Sequence, residues 1–162
     1  MSLPGNISNH NLRAFLWHAG FLAFAQNFMD VDTVVPAMVA EAGGQPLHIG
    51  IISAIMMGGS SFTQLFFAPM ISHYPFKKKL LLIGINLRIA SLFALALILY
   101  VLSASLMSHI LWYIFLFISI FSFSGAFTNI SFVDILGKSI NSEKRKAFFS
   151  VKQIVGGIVV LV

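Results

Sequence analysis

Apolar and polar positions along this chain fall into long blocks, without the period of an amphipathic helix or a half-buried strand. Apolar runs cover approximately 14–40, 48–72, 80–102, 108–133 and 147–162, separated by short connections. A bilayer core takes roughly 20 helical residues to cross. The first four runs therefore predict four transmembrane helices, and the last predicts the start of a fifth. Barrel strands are about 10 residues long and alternate in polarity, which these runs do not. The expected fold is all-α: a polytopic transmembrane helical bundle forming one transmembrane domain.

The connections differ in charge. Lys77, Lys78 and Lys79 follow the second run, and Lys138, Lys144, Arg145 and Lys146 follow the fourth. Segments 41–48 and 103–109 contain neither Lys nor Arg. Cytoplasmic loops are enriched in these residues, so the alternation predicts a multi-pass protein of the cell membrane, plasma or inner, with a cytoplasmic N-terminus. Trp17, Trp112 and Tyr113 lie near run ends, where aromatic rings suit the headgroup region.

Composition agrees with this picture. Hydrophobic residues make up 58% of the chain and charged residues 9%, too little polar surface for a soluble domain of this length. The net charge of +5 resides largely in the loops, where topology and anionic headgroups account for it. The lipid bilayer is the expected partner, and nucleic acid is not. The absence of cysteine removes disulfides, thiol chemistry and cysteine-held metals. No two histidines have ligand spacing on one predicted helix, so no metal and no cofactor is expected. Glycine loops for phosphate, nucleophile elbows and paired His-Glu motifs are missing, and no enzyme is expected. The polar first dozen residues and the length of the first run do not form a cleavable signal peptide. The fifth run, about 16 residues without a polar flank, predicts the N-terminal part of a longer protein.

Ionisable groups inside apolar runs usually face protein or a watery cavity. In the first run Gln26, Asp30, Thr33 and Ala37 recur at spacings of four, three and four, forming one stripe on a helix, with Asn27 beside it. One reading is a cavity wall in which Asp30 binds a proton, a cation or a cationic substrate group. The other is a seam bonded to a neighbouring helix. Asp32 lies on another side and reads as an interfacial or capping carboxylate. Pro36 predicts a kink or a loosened outer end. Arg88, with Asn86 nearby, falls near mid-membrane. It is a partner for a buried carboxylate such as Asp30 or Asp134, a ligand for an anionic substrate, or a side chain that snorkels to the interface. Gly58, Gly59, Ser60 and Ser61 predict close helix packing in the second run.

The layout resembles the N-terminal half of a major facilitator superfamily transporter over nearly the whole chain. That family has the loop pattern Gly-x-Leu-Ala-Asp-Arg-x-Gly-Arg-Arg/Lys between helices two and three. The matching stretch runs from Ala68 to Lys78. Lys77 and Lys78 take the places of the basic pair, whereas Ser72 replaces the acid, His73 the arginine, and Ala68 and Pro75 the glycines. The segment from Asp134 to Ser150 resembles the family's helix-end acid, loop and arginine, with Arg145 as the arginine; Gly156 and Gly157 resemble its glycine-containing fifth helix. The resemblance implies a secondary active transporter of a small solute working by alternating access, coupled to a proton or another cation and completed by a C-terminal half. It also implies that the Asp30 stripe lines the cavity and that Arg88 is peripheral. Ser72, His73, Lys77, Lys78 and Arg145 become candidate gating residues of the cytoplasmic loops. Gln26 to Asp30 and Thr128 to Asp134 both place an amide and an acid late in a helix, as inverted repeats would. The alternative function is a non-transporting membrane scaffold or assembly subunit.

Overall fold

The computed structural model describes residues 4–73, 77–101 and 107–161. It is 91% helix, with no strand among the described residues. The helices are α1 (Gly5–Asn27), α2 (Val34–Glu41), α3 (Pro46–His73), α4 (Lys77–Val101), α5 (Met107–Ser139) and α6 (Ser142–Leu161). Among the described residues, three helices are long and apolar enough to cross a membrane: α3, α4 and α5. α1 carries Asn9, Asn11, Arg13, His18, Gln26 and Asn27, and α6 opens on Glu143, Lys144, Arg145 and Lys146. These polar residues keep both helices out of that class.

The chain forms two compact units, residues 31–132 and the two ends together, 1–30 with 133–162. In the 31–132 unit, α3 and α4 both pack on α5. Along α3, His48 lies edge-on to Phe115 and Phe67 packs on Phe127 at 5.1 Å between ring centroids. Numbers rise together, so α3 and α5 run parallel. Along α4 they run oppositely: Gly84 abuts Ser124 and Thr128, and Arg88 abuts Phe121. Buried Ile52, Ile114 and Ile118 share the interior with serines and a threonine, while large apolar side chains cover the outside. Ser131 and Ser124 are 0% and 1% exposed, whereas Leu65 and Phe62 are 74% and 68% exposed. Small polar residues inside and large apolar ones outside are what a helix bundle in hydrocarbon requires, because lipid leaves no driving force to bury leucine.

In the unit of chain ends, α1 packs along α6. Phe15 meets the fully buried Phe148 edge-to-face at 6.3 Å. Polar side chains of α1 bond to the backbone at the end of α5, whose last carbonyls lack intrahelical donors, and to that of α6. Asn11 Nδ2 donates to the Ser139 carbonyl at 3.0 Å, and Asn27 Nδ2 donates to the Val159 carbonyl at 2.6 Å. The buried Ser8 hydroxyl accepts from the Asn141 amide at 3.3 Å.

Two expectations change. The single helix over 14–40 is two helices, interrupted at residues 28–33. Proline lacks an N–H and its ring collides with the carbonyl four residues back, so no regular helix passes through Asp32 to Pro36. Restarting at Val34 puts Pro36 in the first turn of α2, where no donor is required; the first bond of that helix is Ala37 N to Thr33 O at 3.1 Å. The kink expected at Pro36 is thus a complete break just upstream. Second, the basic loop expected over 134–146 is almost all helix: α5 continues to Ser139 and α6 starts at Ser142. Lys138 in the last turn of α5 and Glu143 in the first turn of α6 suit the helix dipoles. Lys138 Nζ also reaches Asp134 Oδ2 at 2.8 Å, one helical turn back.

Candidate functional site: a broken helix and a polar seam

Interruption of the first apolar run separates the residues expected to share a face. Gln26 is exposed in the last turn of α1, Asp30 is half-buried in the break, and Thr33 is the exposed N-cap of α2 at φ −126° and ψ −64°. Gln26, Asp30, Thr33 and Ala37 therefore do not form one helical stripe. Asn27 donates its amide to the Val159 carbonyl of α6. Asp30 and the exposed Asp32 stand within one turn-like segment, Phe28 to Thr33.

The second polar feature is the seam between α4 and α5. Gly84, Arg88, Ser91 and Leu95 recur at spacings of four, three and four on α4, and Gly84, Ser91 and Leu95 are buried. Arg88 sits on that same stripe, eleven residues after Lys77, or roughly 16 Å along the axis. Facing it on α5 is a stripe of Phe121, Ser124, Thr128 and Ser131, all buried. The hydroxyls of Ser124 and Thr128 donate to the carbonyls of Phe121 and Ser124 within α5. Ser131 is fully buried, and its hydroxyl has no partner among the described residues.

Arg88 lies over an aromatic ring. Its guanidinium carbon stands 4.1 Å from the centroid of Phe121, and its Nε is enclosed without a hydrogen-bond partner among the described residues. Placing arginine at the centre of a membrane helix costs about 2.5–3.5 kcal/mol on insertion scales. A desolvated cation–π contact returns about 2 kcal/mol, so the ring leaves part of that cost uncompensated. The carboxylates suggested as its partners, Asp30 and Asp134, belong to the other compact unit, and Asp134 accepts from Lys138.

The basic candidates divide by role. Lys77 and Lys78 occupy the first turn of α4, where cations oppose the helix dipole. The helix dipole does not account for them. Arg145 Nε donates to the Ile140 carbonyl at 3.0 Å and so closes the end of α5. Ser72 and His73 fall in the last turn of α3, and their side chains lie outside the described residues.

One further feature was not legible beforehand. A cavity of about 610 Å³ lies among Met38, Glu41, Ala42, Gly43, Leu99, Ile110 and Ile114. Its walls come from three separate stretches of sequence, and no local motif marks them. No known protein family, curated protein or solved structure matches the chain.

Proposed function

We propose that the chain belongs to a secondary active transporter of major facilitator layout, in which it contributes the N-terminal helices and Asp30 serves as a binding or coupling carboxylate for a small solute. The observation that carries this reading is the broken first helix. Unwound backbone at membrane depth is tolerated only where it is buried in protein or lines water, and transporters build their sites from such discontinuous helices. Here the break falls inside an apolar run and carries Asp30 and Asp32. The parallel course of α3 and α5, with α4 opposed, suits successive crossings, and the lysines at the start of α4 suit a cytoplasmic side there. The rival reading, a static scaffold, draws support from the tight glycine and serine packing on α5.

Because the chain has no cysteine, single substitutions report water access without background. Asp30→Cys and Gln26→Cys should react with a membrane-impermeant thiol reagent, whereas Phe62→Cys on the lipid-facing side of α3 should not. Protection of position 30 from both sides of the membrane would favour the scaffold.

A further inference from the structure

We infer that Arg88 is the recognition group of a binding site for a small monocarboxylate, set in the seam between α4 and α5. The proposal stands on the geometry of that seam and does not need Asp30 to be a transport residue.

Arginine has five N–H donors, all in the plane of the guanidinium. The guanidinium carbon stands 4.1 Å from the centroid of Phe121, a contact with the ring that uses no hydrogen-bond acceptor. Among the described residues no side chain accepts from them, and Nε is enclosed without a partner. The side chain is otherwise partly exposed, so the terminal amines form its accessible end. Position on the helix rules out the simplest alternative use. Arg88 shares the stripe of Gly84, Ser91 and Leu95, which packs on α5 rather than facing lipid. It is also central in a 25-residue helix, beyond easy reach of either headgroup layer.

The setting selects the ligand. A flat, oriented fork with free donors matches the two oxygens of a carboxylate in a bidentate pair. Charge balance disfavours phosphate: one guanidinium neutralises a monocarboxylate, but a phosphate group carrying nearly two charges would leave an excess anion at the middle of the helix. Chloride meets the fork with one spherical acceptor where a carboxylate meets it with two oxygens. The neighbouring Phe121 ring favours a carboxylate with a short hydrocarbon body, such as butyrate.

The chain contains three arginines, Arg13, Arg88 and Arg145, so ¹⁵N-arginine labelling gives three side-chain Nε signals. The protein is placed in phosphatidylcholine nanodiscs, and the Arg88 signal is identified by its loss in Arg88→Lys. Sodium butyrate should move that signal saturably and leave Arg13 and Arg145 in place. Phosphate and chloride at equal ionic strength should move it far less. Butyrate should also raise the thermal unfolding midpoint of the wild type. That shift should require at least roughly tenfold more butyrate in Arg88→Lys, which keeps the charge but loses the fork. An Arg88 signal indifferent to butyrate would overturn the proposal. So would equal shifts with chloride, or a response to phospholipid in place of maltoside detergent followed by none to butyrate, which would assign the donors to a lipid phosphate.

Discussion

A β-carbon on Gly59 would stand 2.6 Å from the hydroxyl oxygen of Ser122, which itself donates to the Ile55 carbonyl at 2.7 Å. The glycine therefore sets how closely α3 approaches α5, and the serine fills the space with a hydrogen bond. Gly59→Ile should destabilise the protein by about 1–3 kcal/mol through overpacking. Gly59→Ala combined with Ser122→Gly should cost less than the sum of the two single changes, since they share one contact. Thermal unfolding in detergent checks both. Strict additivity would mean that the two residues do not meet.

Neighbouring glycines give an internal contrast. At Gly84 a β-carbon would lie 2.5 Å from Thr128 Oγ1 and 3.2–3.3 Å from backbone atoms of α5, whereas at Gly58 it would meet nothing within 4 Å. Gly84→Ala should lower the unfolding midpoint by the equivalent of about 1–3 kcal/mol. Gly58→Ala should leave it unchanged or raise it, because alanine is the better helix former by about 1 kcal/mol. From sequence Gly58 reads as a packing residue, and no local pattern singles out Gly84. Only the register of α3 and α4 on α5 separates them.

What the sequence reveals here follows its physics. Hydropathy marks which segments prefer hydrocarbon, so α3 and α4 stand close to the predicted apolar runs, whereas α5 continues to Ser139, past the end of its run. It does not mark where helix stops, and the charged stretch from Lys138 to Lys146 reads as loop although Glu, Lys and Arg are good helix formers. At Pro36 the sign of a disturbance was legible, but its place was not, since the strain falls on the preceding turn. Arg88 was visible as a buried charge, and its contact with the ring of Phe121, 33 positions away, was not. Long-range register decides such pairs, and no local pattern encodes it.

Asn27 ties α1 to α6, its amide donating to the Val159 carbonyl at 2.6 Å. Asn27→Ala should cost about 1 kcal/mol and raise amide hydrogen exchange over 155–161 while leaving 142–150 protected. If Asn27 acts on solute instead, the same variant would change transport and leave exchange untouched.

Asp30 is the most exacting test of the transport reading. It lies at the break between α1 and α2, outside regular helix and partly exposed, so its replacement removes a charge without opening a packed core. Asp30→Asn keeps the size of the side chain, and the unfolding midpoint measured alongside separates a structural loss from a functional one. Loss of a charged hydrogen-bond contact worth about 1.5–3 kcal/mol should weaken solute or proton handling roughly tenfold or more. Proton movement is followed with a pH-sensitive dye trapped in vesicles containing the protein, and Asp32→Asn serves as the comparison because its carboxylate is exposed. A transport defect confined to position 30 would mark that carboxylate as the working group. Equal behaviour of the two variants and the wild type would remove Asp30 from the mechanism and leave the break as a consequence of Pro36 alone.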